Sequence, residues 1–254
     1  MIRTNGRGVV YGEVWYEEEP PRDAGVDIVQ YRQRTVPVAA ARATPFLSLV
    51  SDLAVTEDAL IDAFGKDCRY KIRRADSKDG LELEFLAEPA QRLNEFCSFF
   101  DAFAKQRSLA PADSRWLRAA CEARQLALSS ARRDGEVLVW HAYVLGAGTA
   151  RLQHSGSHFR SRENEYRALI GRANRWLHWQ SMLRFREMGL RRYDWGGLFE
   201  DESAPEHAGI NKFKREFGGR DERSFDCTVP LTLKGRVYLP LRDAWRQARL
   251  MASR

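Results

Sequence analysis

Strand-like and helix-like segments alternate along the whole of this 254-residue chain. Residues 26–39 alternate apolar and polar side chains as a strand does, and residues 136–155 predict two strands joined by a tight Gly-Ala-Gly turn. Residues 113–133 and 164–188 have the apolar spacing of helices, the second ending at Gly189. This mixture predicts an α/β or α+β fold around one mixed sheet flanked by helices.

The length bounds the number of domains. A chain of 254 residues buries a sizeable core without disulfides or metals, and it suits one large domain or two small ones. We expect a single domain over residues 1–254, with residues 1–55 forming a short N-terminal β segment packed on it.

Composition excludes several classes of protein. No apolar run approaches the roughly 20 residues that a membrane span needs, and the first residues do not resemble a secretion signal. We therefore expect a cytoplasmic protein without a membrane span. The four cysteines are scattered, so we expect neither a disulfide framework nor a metal site.

The formal net charge of +6 is unevenly distributed. Residues 66–78 hold six basic and two acidic residues, and residues 160–194 hold nine arginines and four acidic residues. Local basic stretches of this kind favour an anionic ligand over a general affinity for nucleic acid, and we expect no DNA partner.

The helix predicted over residues 164–188 contains Gly171, Arg172, Ala173 and Asn174 soon after a strand and a loop. A helix N-terminus offers backbone N–H groups to phosphates, and glycine permits their close approach. This pattern is typical of a pyrophosphate cradle. The alternative interpretation is a packed helix with a solvated basic face.

Two further clusters are candidates for binding and catalysis. Arg69 and Arg73 lie on one predicted helical face with Arg74 nearby, which suits a phosphate or carboxylate. Asp194 ends a predicted strand before two glycines, where it is placed to orient an amine or act as a base. The alternatives are a solvated charged helix and a turn in which the aspartate caps backbone N–H groups.

Residues 209–219 (GINKFKREFGG) are the most distinctive segment. Phe213 is spaced to pack inward, whereas Lys214 projects elsewhere and is placed to stabilise a developing oxyanion or to hold a phosphate. An ordinary amphipathic helix is the alternative. His154 and His158 lie near a predicted strand and loop, so their spacing does not predict a metal pair.

Three segments, taken in order, resemble one known family. They are residues 69–75 (RYKIRRA), residues 193–197 (YDWGG) and residues 209–219. The chain is similar, over about residues 60–225, to the FemAB-like branch of the GNAT acyltransferase superfamily. The resemblance implies a GNAT-like mixed sheet and the transfer of an acyl group from an activated carrier to an amine.

The resemblance also implies roles for particular residues. Phe213 and Lys214 match the pair near the acyl donor, and Lys214 is implied in stabilising the transition state. Fem enzymes proper take amino acids from aminoacyl-tRNA to extend peptidoglycan bridges, whereas shorter relatives are acetyltransferases. The acyl-CoA motif of ordinary GNAT enzymes is half met, because Gly171 and Ala173 fit but Ala168 stands where Gln or Arg is expected.

The sequence thus predicts an N-acyltransferase that uses acyl-CoA as co-substrate, without a permanently bound cofactor. Its expected acceptor is an amine of a glycan, peptide or small molecule related to the cell envelope. Arg172 would hold donor phosphates, and Arg73 and Arg74 an anionic acceptor. Asp194 would deprotonate the amine, and Lys214 would face the developing negative charge. The alternatives are an aminoacyl-tRNA-dependent transferase, with tRNA as partner, and a non-catalytic binding module.

Overall fold

A computed structural model describes residues 1–39, 41–157 and 163–252 of the chain. His158 and residues 160–162 of the second basic stretch lie outside them. The chain divides into two compact units, one of Met1–Phe46 with Arg223–Arg254 and one of Leu47–Glu222.

The strands of the described chain are β1 (Ile2–Gly6), β2 (Val9–Trp15), β3 (Ile28–Arg34), β4 (Arg42–Asp52), β5 (Glu82–Leu86), β6 (Leu126–Arg133), β7 (Glu136–Gly146), β8 (Thr149–Ser157), β9 (Arg192–Gly197) and β10 (Arg220–Pro230). The helices are α1 (Glu57–Asp62), α2 (Lys66–Lys78), α3 (Leu93–Arg107), α4 (Ser114–Glu122), α5 (Asn164–Glu187), α6 (Pro205–Arg215) and α7 (Leu233–Ala252).

The Leu47–Glu222 unit is built on strands in the order β4-β9-β8-β7-β6-β5. Within this unit β8 and β9 pair in parallel and the other neighbours are antiparallel, so the sheet is mixed, as the sequence predicts. Helix α5 packs on β5–β8 and against α2, whereas α3 packs on β7 and β8. Successive residues of a strand point to opposite faces, and Trp140 accordingly meets Phe96 of α3 while His141 meets Asn174 of α5.

The other unit has strands in the order β1-β2-β3-β10, with β2 and β3 parallel. Its core contains Val14, Val26, Val29, Tyr31 and Cys227. Helix α7 belongs to this unit and packs against β2.

Several expected elements form where the sequence places them. Helix α5 covers Asn164–Glu187 and is followed by Gly189 with a φ of 81°, and the hairpin of β7 and β8 turns at Ala147 and Gly148, both with positive φ. The helix expected over residues 113–133 is wrong in its second half. Helix α4 ends at Glu122, and β6 begins at Leu126.

Candidate functional site

The parallel pairing of β8 and β9 is short. It joins Thr149 to Arg192, Ala150 to Tyr193 and Arg151 to Asp194, and the ladder ends there. Both strands continue, β8 to Ser157 and β9 to Gly197. Arg151 and Asp194 therefore mark the point beyond which the two strands are no longer paired.

Lys214 stands beside this point. It lies in the last turn of α6, and its Nζ donates to the carbonyl oxygen of Gly197 at 2.6 Å. Burial lowers the pKa of Lys214 to about 8, with Arg151 acting in the same direction and the carboxylate of Asp194 opposing both. Three charged side chains thus meet where the β8–β9 ladder ends.

Asp194 is fully buried and shapes the turn after it. Its Oδ1 accepts the N–H of Gly196 at 2.7 Å. Gly196 has a φ of 74°, and a Cβ there would lie 3.2 Å from the carbonyl oxygen of Leu152. The capping role weighed from the sequence is therefore present, and a base role for Asp194 stays a prediction.

Phe213 lies half-buried on α6 among aromatic and cationic neighbours. Its ring is 5.8 Å from that of His178 and 5.5 Å from that of Phe217, and the guanidinium of Arg175 lies 4.9 Å from its centre. Arg175 is in turn held by Glu216, through Nε at 2.9 Å and a second nitrogen at 2.7 Å. These contacts fix the position of Phe213; its role toward a donor stays a prediction.

The expected phosphate cradle needs a correction. Gly171, Arg172, Ala173 and Asn174 lie in the interior of α5, which begins at Asn164. Only the first four N–H groups of a helix lack a partner within it, so these residues cannot offer their N–H groups to a phosphate. Ala173 is fully buried, which leaves it without an exposed surface for a ligand.

Arg172 forms a bidentate ion pair with Asp79. Its Nε donates to Oδ2 of Asp79 at 2.6 Å and its terminal nitrogen to Oδ1 at 2.9 Å, with both side chains largely buried. This bidentate pair joins α5 to the end of α2, so Arg172 is used inside the fold and is not presented to donor phosphates.

The arginines expected to hold an acceptor all lie on α2. Arg69 donates to the carboxylate and the carbonyl oxygen of Asp62, whereas Arg73 and Arg74 are exposed. Lys214 lies on α6. The structure therefore brings Lys214, Asp194 and Phe213 to one region and leaves the acceptor arginines on a separate helix.

Sequence reasoning missed a buried polar network behind Phe213. The Nε2 of His141 lies 2.7 Å from Oδ1 of Asn174, and its Nδ1 lies 2.8 Å from the hydroxyl of Tyr143. The hydroxyl of Tyr193 contacts both Tyr143, at 3.2 Å, and Nδ1 of His178, at 2.7 Å. The network places polar groups from β7, α5 and β9 together, and no local sequence pattern predicts such a contact.

Burial determines the protonation of this network. It lowers the pKa of His141 to about 4, with the hydrogen bond that His141 donates to Asn174 opposing, and lowers the pKa of His178 well below its usual value. It also raises the pKa of Tyr143 to about 12. All of these groups are consequently neutral near pH 7.

The described residues contain no group of three or more histidine, cysteine, aspartate or glutamate side chains that is placed to hold a metal ion. Within the same residues, every helix is too short or too polar to cross a membrane.

The fold is shared with solved structures of low sequence identity. FemX is 16% identical, with a TM-score of 0.58, and the alignment covers 71% of this chain but only 61% of FemX. The L-PGS of Bacillus licheniformis is 14% identical, with a TM-score of 0.50, over 89% of this chain and 74% of that one.

A third structure is the C-terminal domain of a putative lysylphosphatidylglycerol synthetase from Agrobacterium fabrum. It is 14% identical, with a TM-score of 0.50, over 82% of this chain and 69% of that one. No curated protein matches the chain by sequence.

The family comparison is more direct than these structural likenesses. A family model described as "Acetyltransferase (GNAT) domain" matches residues 63–215, which is more than half of the chain. The match contains the end of the β8–β9 ladder, Asp194 and Lys214. The chain therefore belongs to the GNAT acetyltransferase family.

Proposed function

We propose that the protein transfers an acyl group from acyl-CoA to an amine at the end of the β8–β9 ladder. The observation that carries the proposal is the buried ammonium of Lys214, held beside Asp194 where the two parallel strands stop pairing. Fixed positive charge in a water-poor site stabilises an oxyanion far more than it would in bulk water.

The proposed reaction has one bond-forming step. The amine nitrogen attacks the thioester carbonyl carbon, and the resulting oxyanion faces Lys214. Asp194, or a water that it orients, takes the proton of the amine. The oxyanion then collapses and the C–S bond breaks, so that the acyl group remains on nitrogen. The sulfur leaves as a thiolate and takes up the proton held by Asp194 or its water, which releases the thiol.

For the acceptor, the proposal names only a chemical class. It is an amine of a glycan, peptide or small molecule related to the cell envelope, and the reaction is cytoplasmic. Arg73 and Arg74 are exposed cations, which supports an anionic group on that acceptor. Arg172 has no part in the proposal, because Asp79 engages its guanidinium.

The first experiment identifies the donor. A ligand that binds only the folded chain raises its melting temperature, by an amount equivalent to about 2.7 kcal/mol at a hundredfold excess over Kd. We expect acetyl-CoA or a longer acyl-CoA to raise it and charged tRNA to leave it unchanged. Stabilisation by charged tRNA alone would replace the donor with aminoacyl-tRNA. If no donor stabilised the protein, the non-catalytic alternative would be favoured.

The second experiment tests the site. Lys214→Met removes the cation with little change of volume, and Lys212→Met, at an exposed position of the same helix, is the matched control. With the donor found above and a panel of amines, we expect Lys214→Met to lower the rate of thiol release about 100-fold or more. The control should retain the parent rate, and equal rates in both variants would refute the role of Lys214.

A further inference from the structure

Helix α7 (Leu233–Ala252) uses one face to pack on its own unit. The ring of Tyr238 meets that of Tyr11 edge-on with centroids 6.3 Å apart, and Arg242 bonds the Tyr11 hydroxyl. Gly235 lies so close to the sheet that a Cβ there would collide with the carbonyl oxygen of Asp27. Positions 235, 238 and 242 therefore define the packed face.

The opposite face is apolar and exposed. Leu233 is 77% exposed, Val237 56%, Leu241 65% and Met251 77%, and these positions recur at helical spacing. Trp245 stands at the border of this face, 45% exposed, with the guanidinium of Arg7 lying 4.4 Å from the centre of its ring. We call this surface the α7 apolar face.

This concentration is unusual for a surface helix. Of the twelve exposed large hydrophobic side chains among the described residues, five lie on α7. Contiguous exposed apolar surface generally marks a site of interaction, whereas single exposed side chains do not.

The charge of the helix indicates what covers the α7 apolar face. Its sequence holds five basic residues, Lys234, Arg236, Arg242, Arg246 and Arg249, and one acidic residue, Asp243. Lys234 pairs with Asp27 and Arg242 with Asp243, and the helix keeps a net positive charge after these pairs are counted. A second copy of α7 would bring the same positive charge against it. An anionic surface with an apolar interior complements both the charge and the exposed side chains.

We propose that α7 binds the surface of a bilayer that contains anionic phospholipids, with the α7 apolar face inserted between the headgroups. The helix lies on the membrane in this arrangement, in keeping with the finding that no described helix is able to cross one. The proposal does not depend on acyl transfer, and its test needs no substrate.

The test is flotation of the full chain with vesicles. We expect it to float with vesicles of phosphatidylglycerol and phosphatidylcholine in equal parts, at least about tenfold more than with pure phosphatidylcholine at low salt. Binding should weaken as ionic strength rises, because salt screens the attraction of the basic residues to the headgroups.

A pair of matched variants isolates the helix. Val237→Glu with Leu241→Glu places two carboxylates on the α7 apolar face, and we expect it to reduce vesicle binding about tenfold or more. Val36→Glu with Leu109→Glu adds the same charge at exposed apolar positions outside α7, and it should bind as the parent does. Circular dichroism confirms that both variants fold.

A third variant keeps the test decisive if the first fails to fold. Arg236→Glu reverses an exposed charge of α7 and leaves the α7 apolar face intact, so it should lower the preference for phosphatidylglycerol.

Three outcomes would overturn the proposal. The first is absence of flotation with either kind of vesicle. The second is equal binding of the parent and Val237→Glu/Leu241→Glu. The third is a dimer in sedimentation velocity that the same double variant dissociates while vesicles remain unbound, which would make a second copy the occupant.

Discussion

At the scale of single residues, Lys214 is a cation in a largely buried position. Burial disfavours its charged form, yet with a pKa near 8 it remains largely protonated at pH 7. A group that must be charged to act loses its effect as the pH passes its pKa. In the proposed reaction, the contribution of Lys214 therefore falls above a pH of about 8.

The first prediction follows from that limit. With the donor and amine of the rate assay, we expect the rate at saturating amine to fall as the pH rises above about 8. Lys214→Arg keeps a cation at that position at all these pH values, so its rate, even if lower, should lack the decline. Thiol release measured from about pH 6.5 to 9.5 checks this. An identical decline in both proteins would assign it to another group.

The second prediction concerns the turn after α6. Gly218 has a φ of 69°, and a Cβ there would lie 2.7 Å from the carbonyl oxygen of Ala63. Gly148 has the same φ, but nothing lies within 4 Å of its Cβ position. Both substitutions to alanine carry the cost of positive φ, so Gly218→Ala should destabilise the protein by about 1–3 kcal/mol more than Gly148→Ala. Urea unfolding of both variants measures the difference.

The sequence predicts some residues of the candidate site and not others. Lys214, Phe213 and Asp194 stand in local motifs, and the structure brings them to one region. The His141–Tyr143–Tyr193 network was not predictable, because its members come from strands and a helix far apart in sequence. The phosphate-binding role predicted for Arg172 did not take account of its partner Asp79, because that residue lies 93 positions away in the sequence.

At the scale of elements, the pairing of α2 with α5 decides what the basic stretches do. Their contact includes the Arg172–Asp79 pair and a hydrogen bond from the indole of Trp176 to Asp76 at 2.9 Å. Charges that join two helices are unavailable to a ligand. The two helices thus adjoin, and the charged side chains of Arg172 and Asp79 bind each other.

The third prediction tests the Arg172–Asp79 pair. Arg172→Leu leaves the carboxylate of Asp79 buried without its partner and should cost about 2–4 kcal/mol of unfolding free energy. Arg172→Leu combined with Asp79→Leu should recover part of that loss. Acyl-CoA affinity of the folded single variant should stay within about twofold of the parent. A large selective loss of affinity would restore the phosphate-binding role expected from the sequence.

The fourth prediction concerns acid. The unfolded imidazole of His141 takes a proton below pH 6.5, whereas the folded one resists until about pH 4. The unfolded state therefore binds more protons in this range, and stability falls as the pH drops through it. We expect His141→Asn to remove about 2 kcal/mol of the decline between about pH 7 and pH 5, as urea unfolding would show. His207→Asn, at a histidine of α6 outside this network, is the comparison variant.

Element boundaries show why one helix was wrongly predicted. Residues 126–131 are fully buried on both faces of β6, so small and apolar side chains, including Ser129 and Ser130, follow one another without the alternation of a half-exposed strand. Such a run resembles the continuation of a buried helix. Arg124, with a φ of 56°, marks the break that the apolar pattern conceals.

At the scale of the whole molecule, the number of basic residues in the two basic stretches overstates the positive charge that is available to a partner. Many basic residues of the two basic stretches carry an acidic partner. These pairs are Arg69–Asp62, Lys71–Asp67, Arg172–Asp79, Arg175–Glu216, Arg184–Glu187 and Arg192–Glu222. A polyanion would have to displace these carboxylates to gain the same contacts.

The fifth prediction uses this pairing. Affinity for a polyanion falls with salt in proportion to the phosphates contacted. We expect tRNA to bind weakly, with a logarithmic slope against salt shallower than about −3 in gel-shift titrations. A slope of about −6 or steeper would point to an extended tRNA interface and to the aminoacyl-tRNA alternative.

In the buried polar network behind Phe213, the donor and acceptor of each hydrogen bond follow from its neighbours. Oδ1 of Asn174 only accepts, so Nε2 of His141 carries the proton and its Nδ1 accepts from Tyr143. Tyr143 in turn accepts from Tyr193, whose hydroxyl accepts from Nδ1 of His178. Inferred from these partners, the two adjacent imidazoles, whose ring centroids lie 4.1 Å apart, are opposite tautomers, and every hydroxyl between them points the same way. Reversing one of these bonds would require reversing all of them, which gives the core a single polar orientation.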